Sequence, residues 1–365
     1  MTELTNEWLQ FLVQHGACLN DETPPQILSF NAREFNFQSA SDFVAPLTDL
    51  GIIAVTGDEA AHFLHGQLTN NMESMGSDEA RLAGYCSPKG RLLATLLCWR
   101  SGDALMLQLP RQILAATQKR LQMFVLRAKA RLQEVSDDYV VLGMAGHQAE
   151  KALTAWFPQL PSAPYHKQES DDGTLIRLTD IDGAPRFQWI MSNAVAIKAW
   201  PVLTRSLIPA SPSAWRLSEV HAGIPGITLA TQEQFVPQMI NFELIGGVNF
   251  KKGCYPGQEI VARSQYRGKL KRRMLLATVA GAAARPGIEV FDAADPDQPC
   301  GMIVNAEISG TNHMDCLVEM KLEAADVPVH LGSANGPVLQ FKPLPYLIPE
   351  SDPVSVSDEL SDLRK

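Results

Sequence analysis

Gly247-Val248-Asn249-Phe250-Lys251-Lys252-Gly253-Cys254-Tyr255-Pro256-Gly257-Gln258-Glu259-Ile260-Val261-Ala262-Arg263 is the part of the chain richest in chemistry. Gly253 and Gly257 bracket Cys254 and permit tight backbone turns. Pro256 and Gly257 open a helix carrying Ile260, Val261 and Arg263. A cysteine just ahead of a helix N-terminus, beside Lys251 and Lys252, has its thiolate favoured. Cys254 is therefore a candidate nucleophile, redox thiol or metal-cluster ligand. The plain alternative is a partly buried structural thiol.

Charge is concentrated around this stretch. The chain carries a net −9, yet Lys251 to Arg273 holds eight basic residues against one acid, Glu259. A basic patch on an acidic body suits one defined anionic ligand better than a diffuse polyelectrolyte surface. The run Arg267–Arg273 is a candidate for carboxylate or phosphate contacts, or simply a strand edge blunted by charge.

On the N-terminal side the pattern alternates between strand and helix. A short helix is expected near Glu7–His15. Gly51–Thr56 reads as a buried strand. Gly57-Asp58 turns into a short helix with Asp58 as its cap, with Ala60, Phe63 and Leu64 on one face and Gly66 at its end. Strands Arg81–Cys86 and Arg91–Trp99 flank the turn Ser87-Pro88-Lys89-Gly90. A strand Ala104–Leu109, a helix 111–124 and a strand Ala128–Val135 close this unit. A second unit of similar order follows: strand Tyr139–Met144, helix His147–Phe157, strands Leu175–Leu178 and Phe187–Met191, and helix Ala194–Leu207. The order fits ferredoxin-like α+β modules better than a parallel doubly wound sheet. Ser211-Pro212 starts a helix ending near Gly223. Past Lys271, short alternating strands at 274–279, 288–291, 301–308, 314–320 and 336–342 indicate a small β-barrel. The domain boundaries expected are an N-terminal extension over 1–45, an α+β body over 46–270, the barrel over 271–349 and a disordered tail over 350–365.

The composition, 45% apolar and 19% charged, is that of a globular protein. The acidic N-terminus lacks a signal-peptide pattern. No apolar run approaches the roughly 20 residues that span a bilayer, so the expected location is the cytoplasm. The cysteines at 18, 86, 98, 254, 300 and 316 form no Cys-x-x-Cys pair. All six read as free thiols, and all but Cys254 as small core hydrophobes. His62 and His65, at i and i+3, lack a visible third ligand and read as surface residues. No metal site is expected.

The signature Lys252 to Glu259 resembles that of the YgfZ family, folate-binding members of the glycine-cleavage T-protein-like superfamily. Phe63–Asn70, Cys86–Arg91, Phe235-Val236-Pro237-Gln238 with Asn241, and Leu344-Pro345-Tyr346 resemble other family segments. The resemblance implies ferredoxin-like modules and a C-terminal barrel around a central channel that binds tetrahydrofolate. It implies a part in tRNA modification through maintenance of iron–sulfur enzymes such as tRNA methylthiotransferases, with Cys254 as the reactive group. The implied cofactor contacts are Trp215, Leu50, Lys252, Tyr255 and Gln258. Leu50 stands where the family has a second tryptophan, so one aromatic contact is lost. His221 replaces a glutamate ahead of Gly223-Ile224-Pro225, and Glu219 lies on a different helix face. The alternatives are a folate-dependent aminomethyl or one-carbon transferase, and a direct tRNA-binding module. The segment Gln108–Gln112 offers the transferase no carboxylate, and the net charge disfavours general RNA affinity.

Overall fold

The computed structural model describes residues 6–22, 24–31, 42–266, 270–281 and 283–349. Arg267, Lys269 and the tail 350–365 lie outside these residues. The body is a four-layer stack, helix–sheet–sheet–helix. The first sheet runs Ala80–Cys86, Leu92–Ser101, Ala104–Pro110, Leu50–Thr56, Arg131–Glu134, with every pair antiparallel. Its outer face carries α2 (Ala60–His65) and α3 (Arg111–Val125), which bury Phe63, Leu64, Ile113, Leu114 and Leu121 against it.

The second sheet runs Lys167–Ser170, Gly173–Ile181, Ala184–Met191, Val140–Ala145, Phe43–Pro46, Ile208–Pro209. Its outer face is covered by α1 (Glu7–Gln14), α4 (His147–Leu153) and α5 (Asn193–Leu203). Period-2 alternation explains the sandwich. Phe187 and Trp189 point to the helices, while Ile190 points to the other sheet. Residues 6–31 are integral to this layer: Trp8 packs edge-on to Trp200 at 5.7 Å, and Phe30 meets the same ring. The strand Phe43–Pro46 inserts between two others, so the sheet begins inside the segment that the sequence assigned to an extension. The helices expected at 147–157 and 194–207 end earlier, at Leu153 and Leu203.

Two local expectations differ from the structure. Glu59, not Asp58, caps α2, and it makes no side-chain cap bond. Its carboxylate accepts the Lys129 N–H at 2.6 Å and ties the loop after α3 to α2 instead. Cys18 is exposed on a short strand, whereas Cys86, Cys98, Cys300 and Cys316 are buried.

Between the sheets enters α6 (Pro212–His221), begun by Ser211 and Pro212 as its sequence indicates. The C-terminal sheet is a curled half-barrel in the order Val329–Leu331, Glu289–Asp292, Pro299–Gly310, His313–Lys321, Arg272–Ala280, Leu339–Lys342. A single bridge, His330 to Val338, ties its two edges. The half-barrel shares a core with the body: Met274, Leu276, Val304 and Leu317 pack with Phe235, Phe242, Val248 and Val261. Polar ties reinforce the junction. His221 Nε2 lies 2.7 Å from Asp315 Oδ2, and Lys342 Nζ donates to Oδ1 at 3.1 Å.

Burial alone would raise the Asp315 carboxyl, but hydrogen bonds from His221, Thr278 and Lys342 outweigh it and hold it well below the usual range. A depressed folded-state pKa gives stability that is present above the unfolded value, about 4, and lost as pH falls. Stability is therefore expected to drop below about pH 4, and Asp315→Asn should flatten that acid limb. Urea midpoints measured down to pH 2.5 check this; an unchanged limb in the variant refutes it.

Candidate functional site

A cavity of about 720 Å³ opens where the two sheets, α6 and the half-barrel meet. Alternation delivers its walls. Leu82, Leu97 and Gln108 come from the first sheet, Leu178 and Gln188 from the second, and Trp215 and Glu219 from α6. Gln188 stands opposite Gly143 in register. A Cβ on Gly143 would sit 2.4 Å from the Trp215 ring, so the missing side chain is the seat of that indole. The Arg186 guanidinium lies 4.3 Å from the ring centroid and also pairs with Glu219. Trp215 is thus buried, with Gly143 and Arg186 against it and part of the indole turned to the cavity.

Two side-chain amides in this wall each have an unmatched atom. Gln108 is 4% exposed and its Nε2 has no hydrogen-bond partner; Gln188 is 3% exposed and its Oε1 has none. Leaving such a group buried and unpaired costs about 1–3 kcal/mol. A free amide donor and a free amide acceptor in an apolar wall suit a flat heteroaromatic edge bearing both. Sequence reasoning missed this pair as a site. The available signal was an amide at an inward position of an otherwise apolar strand, in Leu107-Gln108-Leu109 and Phe187-Gln188-Trp189.

Three of the carboxylates that line the cavity are taken by an arginine; Glu22, also in the lining, has no such partner among the described residues. Arg186 holds Glu219, while Arg216 spans Asp49 at 2.6 Å and Glu307. Arg216 so joins α6, the body and the half-barrel across the cavity. Glu219 lines the cavity and His221 does not, which reverses the expectation drawn from helix faces. His221 is turned instead to Asp315.

Of the expected cofactor contacts, Leu50 and Trp215 line the cavity. Lys252, Tyr255 and Gln258 do not; they build a second site at the edge strand Ala80–Cys86. There Lys252 Nζ donates to the carbonyls of His65 (2.6 Å), Leu68 (3.0 Å) and Gly253 (3.1 Å). It thus caps the C-terminal end of α2, where a cation is favoured, and lies 4.7 Å from the centre of the Tyr255 ring. Burial pushes its amine down to about 8, with Cys254 and Glu73 pulling the other way. The Gly253 N–H donates to His65 Nε2 at 3.3 Å, which leaves Nδ1 as the proton-bearing nitrogen facing Asn71 Oδ1 at 3.0 Å. Gly257 has φ +81°, and a Cβ there would lie 2.4 Å from the Ser87 carbonyl. The signature loop is therefore clamped between the end of α2 and the Ser87–Gly90 turn. α7 (Gln258–Tyr266) follows it, and Cys254 is left exposed.

His62 and His65 both turn to Glu73, at 2.8 and 3.6 Å. Among the described residues of the basic run, Arg272 pairs with Glu319 and Arg273 with Glu243. No helix among the described residues is long and apolar enough to cross a membrane.

No family model matches the chain. It is 31% identical over 317 residues to the tRNA-modifying protein YgfZ of Shigella sonnei (strain Ss046), covering 83% of this chain and 93% of that one. The YgfZ protein of Escherichia coli (strain K12 / DH10B) is similar at the same identity and coverage. Among solved structures, the glycine cleavage system aminomethyltransferase T from Bartonella henselae superposes with a TM-score of 0.74 at 14% identity, over 94% of this chain and 98% of that one. That likeness is one of fold.

Proposed function

We infer the function from one premise: the chain belongs to the YgfZ family of tRNA-modifying proteins. On that premise it is a folate-binding factor that serves tRNA modification. The observation that carries the folate reading is the unpaired Gln108 Nε2 and Gln188 Oε1 in the cavity wall. A pterin edge presents adjacent donors and acceptors, and the two amides match it. Leu50, Leu97 and Leu178 supply apolar contact, and Trp215 supplies an aromatic one. Arg111 and Arg285, also in the lining, suit the carboxylates of a glutamate tail. Tetrahydrofolate, when bound, supplies nitrogens able to carry a one-carbon unit.

The arginine partners of Asp49, Glu219 and Glu307 favour an accessory role over aminomethyl transfer, since each of these carboxylates is engaged in an ion pair rather than left open to a substrate. The reactive group is Cys254, acting in the maintenance of iron–sulfur enzymes such as tRNA methylthiotransferases. Its exposure, beside a buried lysine amine and a histidine that fixes its loop, supports that role. The division proposed is a body running to about residue 270, with the N-terminal helix and strands packed into it, and a C-terminal unit over 271–349 that shares its core.

Titration with tetrahydrofolate, followed by tryptophan fluorescence, tests the folate reading. Gln108→Leu and Gln188→Leu are expected to weaken binding roughly tenfold or more while stabilising the free protein by about 1 kcal/mol, because each removes a buried unpaired group. A ligand-free role for the amides predicts no change in affinity. For the thiol, Cys254→Ala should abolish support of methylthiolated tRNA in cells lacking the native gene, and full rescue would remove Cys254 from the mechanism.

A further inference from the structure

The net charge of −9 disfavours general affinity for polyanions, but one corner of the first sheet escapes it. Residues 104–133 contain six Arg and Lys and no Asp or Glu. Lys119 on α3, Arg127 and Lys129 in the loop after it, and Arg131 at the start of the edge strand are all exposed. Among the described residues none of the four is in an ion pair. Asp58 and Glu59 adjoin them, and Glu59 is occupied with the Lys129 N–H.

Apolar side chains stand between these cations. Met123 is 60% exposed, Phe124 47% and Leu126 87%. Lys119 and Met123, like Arg120 and Phe124, are four residues apart and neighbours on the helix surface. Leu126 has φ +37°, a conformation that L-residues rarely adopt. The corner is also close to the thiol. Glu59 at the N-terminal end of α2 holds Lys129, and the carbonyls at its C-terminal end hold Lys252. α2 has six residues, so about 9 Å separates its two ends.

We propose that this corner binds RNA, with Lys119, Arg127, Lys129 and Arg131 on backbone phosphates and Phe124 stacked on an unpaired base. Unpaired cations interleaved with an exposed aromatic ring are the chemistry that single-stranded or looped RNA requires. The choice of RNA rests on the tRNA-modification reading and is independent of folate.

The probe is an unmodified tRNA transcript, titrated by fluorescence anisotropy at about 50–200 mM KCl. The wild type is expected to bind with an affinity that falls steeply with salt. Arg127→Glu/Lys129→Glu/Arg131→Glu should bind at least roughly 30-fold more weakly and reduce the slope of log K against log salt by about 2–3. Phe124→Ala should weaken binding roughly tenfold with the slope unchanged. Cooperative thermal unfolding like the wild type's establishes that the exposed-site variants fold. The proposal is overturned if the wild type leaves tRNA free, if charge reversal leaves binding intact, or if phosphatidylglycerol vesicles are bound and tRNA is not. Folate titration on the same proteins separates the two readings: RNA binding without folate binding keeps this corner and removes the pterin site, and the converse does the opposite.

Discussion

Arg273→Met is expected to cost about 3–5 kcal/mol of folding free energy. Arg273 and Glu243 are both nearly fully buried, and the guanidinium also donates to the Gln238 carbonyl at 3.0 Å. Burial raises the Glu243 carboxyl even with Arg273 beside it. Without the cation, the carboxylate must take up a proton or remain charged in an apolar junction. A folded-state pKa raised above the unfolded value gives stability that is lost as pH rises, so the penalty should grow from about pH 4 towards neutrality. Arg273→Met/Glu243→Leu should recover most of the loss, since two apolar groups of similar volume often replace a buried pair without cost. Urea unfolding midpoints at pH 5 and 7 check this. A single variant costing under about 1 kcal/mol would show the pair to be dispensable.

Gly143→Ala carries the second large effect. The new Cβ would lie 2.4 Å from Trp215 Cε3 and 2.6 Å from Cδ2. The ring cannot retreat far, because Arg186 is stacked on it and held by Glu219. Overpacking of this kind costs about 1–3 kcal/mol or more. The displaced indole should also distort the wall beside Gln188, lowering tetrahydrofolate affinity at least roughly tenfold. Trp215→Phe in the same protein, a smaller ring in the same seat, should restore thermal stability. Wild-type melting and folate titration in the single variant would mean that Trp215 moves freely and does not fix the cavity.

The architecture was legible wherever one local pattern ran long enough. Alternation marked the strands of the first sheet, and Ser211-Pro212 marked α6. Phe43–Pro46 was not legible, because four wholly buried residues ending in proline show no period. Ile208–Pro209 forms a strand only by pairing with that segment. The thiol loop was readable because its glycines, lysines and cysteine are contiguous. Which carbonyls hold Lys252 was not, since they belong to α2, nearly two hundred residues earlier. The role of Gln188 depends on pairing within the second sheet and on α6: Gly143 lies opposite it on the next strand and Trp215 fills the gap. The charge count in Lys251–Arg273 misled in part, because Arg272 and Arg273 find acids that only the fold brings near.

The core shared by body and half-barrel bears on how the protein is made. Val248 and Val261, beneath the Cys254 loop, pack with Met274, Leu276, Val304 and Leu317. A ribosome adds about 5–20 residues per second, so the strand carrying Leu317 is synthesised roughly 3–11 s after Val261. During that interval the loop can meet α2 and the Ser87–Gly90 turn, but the half-barrel side of its core is missing. A nascent or stalled chain therefore carries its cysteine above valines covered on one side only, a target for chaperones. Completion of synthesis past the half-barrel closes that core and fixes the base on which the thiol loop sits.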